Sequence, residues 1–170
     1  MVSPVKLAHV ALKTNDLQQA KAWYLAVLDA DVVFENEQLC FTTYDDEHHR
    51  LVLAKEDGFE QDARSAGLHH MSFTYAKLDD LFDTYERLQG QGILPVWCIN
   101  HGPTLSMYYL DPMGNHVELQ IDTMDATAAT DFIHSDVFEK NPIGIEFDPN
   151  VLNDKRKAGA SFGELVAYGE

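Results

Sequence analysis

Two stretches of this 170-residue chain match each other at a fixed offset of 61 residues. Nothing else in the sequence restricts the fold as tightly. His9 recurs as His70, Leu17 as Leu78, Tyr24 as Tyr85, Val27 as Leu88 and Val32 as Ile93. In order, the matched positions fall on a strand, on the apolar stripe of a helix, and at the entry to the next strand. A match across three elements at one offset marks an internal repeat, each copy being one supersecondary unit. The chain must therefore fold as two similar modules.

Each copy reads as β-α-β-β-β. In the first, residues 5–12 alternate, with Leu7, His9 and Ala11 on one face and Ala8, Val10 and Leu12 on the other. Thr14-Asn15-Asp16 is a helix N-cap cluster. Residues 17–28 follow with an apolar stripe at Leu17, Ala20, Trp23 or Tyr24, Val27 and Leu28. Residues 32–34, 39–44 and 49–54 are three further strands. The charged stretch 55–67 reads as a linker. The second copy opens with a strand over 68–75, where His70, Ser72 and Thr74 oppose Met71, Phe73 and Tyr75. Its helix, 78–88, carries Leu78, Leu81, Phe82, Tyr85 and Leu88 in a stripe and stops at Gly90 and Gly92. Strands over 93–99, 105–110 and 116–121 complete it. The last two are joined by Asp111-Pro112-Met113-Gly114-Asn115, whose residues favour a tight turn.

The expected layout is a paired domain over 1–122, with module one at 1–60 and module two at 67–122, followed by a tail at 123–170. In that tail 125–130 is small and polar, 141–149 looks extended, and 151–166 has room for one or two short helices. The tail is expected to pack on the modules or on a partner subunit. Its last dozen or so residues read equally well as a weakly ordered acidic extension.

With 45% hydrophobic and 11% aromatic residues, the chain can bury a core. Its formal charge of -16 argues against nucleic acid or an anionic membrane as partner. Cys40 and Cys98 lie in apolar surroundings and form no CxxC pair, which fits reduced core cysteines in a cytoplasmic protein. The N-terminus lacks the apolar run of a signal peptide, and no run is long enough to span a membrane.

The last strand of module two poses the functional question. His116, Glu118 and Gln120 oppose Val117, Leu119 and Ile121. A half-exposed strand with a wet outer face accounts for this pattern on its own. His9 and His70 change the balance, because both sit on polar faces of strands whose other face is apolar. Helices covering the apolar faces would turn the polar faces into a cavity formed by curved sheets. Two imidazoles and a carboxylate converging there would be costly unless they held a cation. Two histidines and one carboxylate are the facial triad of non-haem Fe(II) enzymes, with positions left open for substrate and O2. The expected fold class is α+β: two βαβββ modules forming a curved mixed-sheet barrel around a metal site, plus the C-terminal tail.

The repeat resembles the vicinal oxygen chelate superfamily, which includes glyoxalase I, bleomycin-resistance proteins and extradiol dioxygenases. Ile99-Asn100-His101, then after five residues Met107-Tyr108-Tyr109-Leu110-Asp111-Pro112-Met113-Gly114-Asn115-His116-Val117-Glu118, resembles the extradiol ring-cleavage signature. The likeness covers roughly residues 5–122 and is looser in the tail. It is similar to the one-domain enzymes of the biphenyl-2,3-diol and catechol 2,3-dioxygenase kind.

The resemblance implies His9, His70 and Glu118 as metal ligands. His70 is chosen over His69 because it aligns with His9 in the repeat and shares a face with Ser72. It implies His49 as the acid/base residue, with His48 the alternative, and His101 and Tyr108 as hydrogen-bonding partners of substrate and oxygen. The implied reaction is Fe(II)-dependent extradiol cleavage of a catechol-type aromatic diol by O2, giving a ring-opened semialdehyde in aromatic hydrocarbon catabolism. Mn(II) stays open as the metal. Analogy with the family implies a homo-oligomer. Trp97, Phe41, Met107 and Phe147 offer themselves as pocket-lining residues, and the ring substituent is left unread. Two rivals share the fold. A glyoxalase-like isomerase usually takes four protein ligands, and Leu51-Val52-Leu53 supplies no acid to match Glu118. A non-catalytic small-molecule-binding module would need no triad.

Overall fold

The computed structural model describes residues 2–58 and 66–169. Most of the expected linker, 59–65, lies outside the described residues. The chain forms two compact units: Met1–Gly67 with Asp111–Asn115, and Leu68–Leu110 with His116–Glu170.

The first unit runs β1 (Val10–Thr14), α1 (Leu17–Leu28), β2 (Asp31–Glu35), β3 (Leu39–Thr43) and β4 (Leu51–Lys55). Its sheet order is β1-β4-β3-β2, with β1 and β4 parallel and the other pairs antiparallel. The second unit repeats the plan with β5 (His70–Tyr75), α2 (Leu78–Gly90), β6 (Trp97–Asn100), β7 (Thr104–Leu110) and β8 (His116–Asp122). Its order is β5-β8-β7-β6, extended by the short β9 (Ile145–Glu146) on the edge of β6. The offset repeat is thus a repeat of topology, and the α+β class is as the sequence predicts. The expected barrel is seen as two separate mixed sheets of four and five strands, and no strand pairing closes them among the described residues.

Both helices form where the apolar stripes predict. In α1, Leu17, Ala20, Tyr24 and Val27 are buried, and the Asp16 carboxylate caps the start by accepting from the Gln19 N–H at 2.9 Å. Between the two aromatic candidates for the stripe, Tyr24 is buried and Trp23 only half-buried. Helix α2 follows Lys77, which supplies no side-chain cap. A missing cap costs about 1 kcal/mol. Leu78, Leu81, Phe82, Tyr85 and Leu88 are all buried, at about 1.5–3 kcal/mol each, so packing decides the helix. Across from the helices lie Cys40, Leu51 and Leu53 in the first unit and Met71, Val117, Leu119 and Ile121 in the second, all buried.

Tyr24 has a second task. Its hydroxyl, fully buried, donates to Asp111 at 2.8 Å. Asp111 also accepts from the Met113 and Asn115 backbone N–H groups and from the Asn115 amide, which fixes the turn before β8. Burial first, and the Asp111 charge second, push the Tyr24 hydroxyl far above its ordinary range, so it stays a donor.

Two strand starts differ from expectation for one reason. Strand β1 begins at Val10 rather than residue 5, because the Arg50 guanidinium, not a strand, binds the Leu7 and Ala8 carbonyls at 2.8 and 3.2 Å. Strand β4 begins at Leu51, because Asp45 folds the preceding loop by accepting from the Glu47 N–H and from Arg50. His9 and His49 therefore stand just ahead of strands rather than in them. Strand β6 also starts late, at Trp97, after Pro95, which has no N–H to give a ladder.

The tail contains α3 (Ala126–Ile133), α4 (Asp136–Lys140), β9, α5 (Pro149–Lys157) and α6 (Phe162–Leu165). Helices α3 and α4 were not expected. The signals for them were their caps: Asp125 accepts from the Thr127 and Ala128 N–H groups, and Ser135 from Phe138. Helix α5 has Asp148 as cap and Pro149 at its first position, where the missing N–H costs nothing. It packs along α2. Tyr85 donates to Asn150 and Asn153 to Glu86, each at 2.8 Å, and Arg156 meets Asp79 and Asp83 at 2.9 Å with its guanidinium 5.5 Å over the Phe82 ring. Among the described residues, no helix is long and apolar enough to cross a membrane.

Candidate active site

Strand register builds the site in the second unit. Ser72 pairs with Glu118, Glu118 with Tyr108, and Tyr108 with Trp97, so one row crosses β5, β8, β7 and β6 on a single face. His70 stands two residues before Ser72 on that same face. Its Nε2 lies 3.1 Å from Oε2 of Glu118, a diagonal cross-strand contact. Glu118 is only 4% exposed, and His70 is its ion-pair partner among the described residues. The opposite face holds Val117, Leu119 and Ile121, all buried beneath the α2 layer, which is why the polar residues must take this one.

Tyr108 continues the row. Burial, then the Glu118 charge beside it, raise the Tyr108 hydroxyl well above its ordinary range, so it remains protonated. The hydroxyl lies 3.0 Å from Nε2 of His101. His101 follows the end of β6 and is held there by its N–H, which donates to Thr104 at 2.9 Å. Trp97 flanks both, with ring centroids 4.9 Å from Tyr108 and 5.8 Å from His101. Its indole N–H donates to Glu146 on β9 at 2.8 Å. Of the adjacent histidines, His70 reaches Glu118. His69 is exposed, with Nδ1 2.8 Å from Nδ1 of His70 and its ring 6.2 Å from His116.

The first unit brings His9 and His49 together, their ring centroids 4.6 Å apart. His49 is half-buried and also meets the Phe41 ring at 4.9 Å. Burial, then the charges of His48 and His9, hold its pKa below the usual histidine value. His48 is exposed, with Nδ1 2.6 Å from Nδ1 of His49 and Nε2 3.6 Å from Glu47. The register also names the module-one counterpart of Glu118. Val52 pairs with Ala11 and Phe41 as Glu118 pairs with Ser72 and Tyr108. Module one therefore presents Val52 and Phe41 where module two presents Glu118 and Tyr108.

His70, Glu118, Tyr108 and His101 thus meet in one unit, and His9 and His49 in the other. Within neither unit do three His, Cys, Asp or Glu side chains form a group that could hold a metal, among the described residues. The donors that do meet, a buried carboxylate and an imidazole nitrogen, suit a divalent cation with oxygen and nitrogen ligands. The cysteines take no part: both are buried and free, and burial pushes the Cys98 thiol up to about 12. Sequence reasoning missed the tail's contribution, Glu146 against Trp97 and the Ile143 carbonyl 2.5 Å from Nδ1 of His101, because the tail has no counterpart in the repeat.

Two βαβββ modules of identical strand order, one carrying a histidine–carboxylate face, define a duplicated-module protein. The family model described as "Glyoxalase/Bleomycin resistance protein/Dioxygenase superfamily" matches residues 6–119. "Biphenyl-2,3-diol 1,2-dioxygenase 2" of Rhodococcus globerulus is 40% identical over 171 residues, 99% of this chain and 90% of that one. "Biphenyl-2,3-diol 1,2-dioxygenase 3" of the same organism is 43% identical over 165 residues, 95% of this chain and 87% of that one. Among solved structures, a lactoylglutathione lyase from Agrobacterium tumefaciens superposes with a TM-score of 0.57 at 23% identity, over 69% of this chain and 94% of that one. At that identity the likeness speaks for the fold alone. The chain belongs to the Glyoxalase/Bleomycin resistance protein/Dioxygenase superfamily, and its near full-length curated relatives place it among the dioxygenases.

Proposed function

We propose that the chain is an Fe(II)-dependent extradiol dioxygenase that opens a catechol-type ring with O2 to give a semialdehyde. The observation that carries this is the buried Glu118 carboxylate, with His70 at 3.1 Å on one side and the Tyr108–His101 pair on the other. Likeness to two biphenyl-2,3-diol dioxygenases supports an aromatic diol as substrate. His9, His70 and Glu118 would hold the iron. When bound, the iron supplies a place where diol and O2 are held together and electron density passes between them.

The chain's own residues manage protons and orientation. Near neutral pH the lowered pKa of His49 keeps its ring uncharged, ready to accept a proton from a diol hydroxyl. Its Nδ1 is turned to His48, which leaves Nε2 as the working nitrogen. Tyr108 stays protonated beside Glu118, with its hydroxyl 3.0 Å from Nε2 of His101. Val52 in place of a second carboxylate keeps the ligand number at three, which favours this reaction over an isomerase with four protein ligands. A homo-oligomeric state and a cytoplasmic setting belong to the same proposal.

The test is anaerobic reconstitution with Fe(II), followed by a panel of catechols and air. A yellow ring-opened product with stoichiometric O2 uptake is expected. Metal binding without O2 uptake would replace this function with an isomerase-like one. Absence of metal binding would leave a small-molecule-binding module.

A further inference from the structure

The His101 ring is held from both ends, and one end belongs to the tail. Nε2 faces the Tyr108 hydroxyl at 3.0 Å, and Nδ1 lies 2.5 Å from the backbone carbonyl of Ile143. A carbonyl oxygen can only accept, so the hydrogen in that contact belongs to Nδ1. A histidine's tautomer is set by the partner of its other nitrogen. We propose that the Ile143 carbonyl pins the hydrogen of the neutral His101 ring on Nδ1, leaving Nε2, the nitrogen facing Tyr108, as the ring's acceptor. The inference rests on the catalytic setting proposed for His101 and adds a positioning element outside the repeat: Ile143 lies beyond residue 119, where the family match ends.

The carbonyl is held in place by specific contacts. The Asn141 amide donates to the Gly144 carbonyl at 2.7 Å, and its side-chain oxygen accepts from the Gly144 N–H at 3.1 Å, closing a clasp around Pro142 and Ile143. Tyr168 donates to the Asn141 carbonyl at 3.2 Å. On the other side Ile145 pairs with Asn100, next to His101. Gly144 itself sits at φ +118, and a Cβ there would lie 2.3 Å from the Asn100 carbonyl oxygen and 2.9 Å from the His101 Cα. Glycine alone lets the loop come this close. The bond is therefore a product of loop fit rather than of a mobile side chain.

The experiment uses the full chain with 15N-labelled histidine and no added metal, read by long-range proton–nitrogen correlation. His101 is assigned from the signals lost in His101→Gln. The wild-type ring is expected to show a proton-bearing Nδ1 and, when neutral, a lone-pair Nε2. In Asn141→Ala and Gly144→Ala, with folding checked by circular dichroism, the His101 signals are expected to move to a mixture of tautomers. In the iron-loaded variants kcat should fall about tenfold while KM stays within about twofold. A neutral wild-type ring protonated on Nε2 would overturn the proposal without variants, and so would an unchanged Nδ1 proton in both folded variants. Because the spectra involve neither iron nor catechol, their outcome is independent of whether the dioxygenase function holds.

Discussion

At the scale of single residues, the site turns on one carboxylate that could not be buried without company. Glu118 is 4% exposed and has an imidazole 3.1 Å away. Removing its charge should separate metal binding from folding. Glu118→Gln is expected to lower metal affinity on the order of 100-fold, read as metal retained after dialysis. The metal-free variant should melt no lower than the metal-free wild type, because a buried charge is costly to keep. A lower melting point would mean that Glu118 serves the fold. Much of this face was legible in the sequence. Strict alternation puts His70, Ser72, Glu118 and Gln120 on one side, and alternation survives folding because it follows from the pleat. What alternation cannot give is the partner across the sheet. That Ser72 and Tyr108 flank Glu118, and that His101 receives a carbonyl from residue 143, depends on register and on the tail. His9 and His49 were legible as residues, but their setting was not. Arg50 and Asp45, unremarkable in the sequence, delay the starts of β1 and β4 and leave both histidines in loops.

At the scale of elements, the helices were readable because an apolar stripe at 3.6-residue spacing is a local pattern. Helices α3 and α4 were not, because Ala126–Ile133 begins with small and polar residues, and only the Asp125 cap announces it. The contact of Tyr24 with Asp111 is a further case beyond local pattern, joining residues 87 apart. It links α1 to the turn that launches β8, the strand of Glu118. Tyr24→Phe keeps the ring and removes one donor from a buried carboxylate. The expected cost is about 1–3 kcal/mol, seen as a lower urea midpoint at unchanged slope. An unchanged midpoint would show that the three other bonds to Asp111 suffice.

At the scale of the whole molecule, charge governs behaviour. The chain carries -16, and among the described residues five carboxylates are held below their usual range. The main causes are Lys21 for Glu35, the Glu47 N–H for Asp45, Lys6 for Glu47, Lys157 for Glu86 and Ser161 for Glu164. A group with a lowered folded pKa binds fewer protons folded than unfolded. Its stabilisation is present above the unfolded value and is lost as pH falls through the folded one. His49 has the same sign and starts from a higher pH. Thermal melts should therefore be flat above about pH 7, decline gently from about 6.5, and fall more steeply below about 4.5. A melting point that rose on acidification would show that relief of the overall negative charge outweighs these local pairs. The edge strand β2 adds a practical consequence. All five of its residues are exposed, and Val32, Val33 and Phe34 stand between Asp31 and Glu35. Those two acids act as gatekeepers against strand-to-strand stacking between molecules. At low pH the chain loses negative charge while the fold loosens, so this apolar edge is less protected, and precipitation, rather than clean reversible unfolding, is the hazard to plan for when the protein is concentrated or eluted in acid.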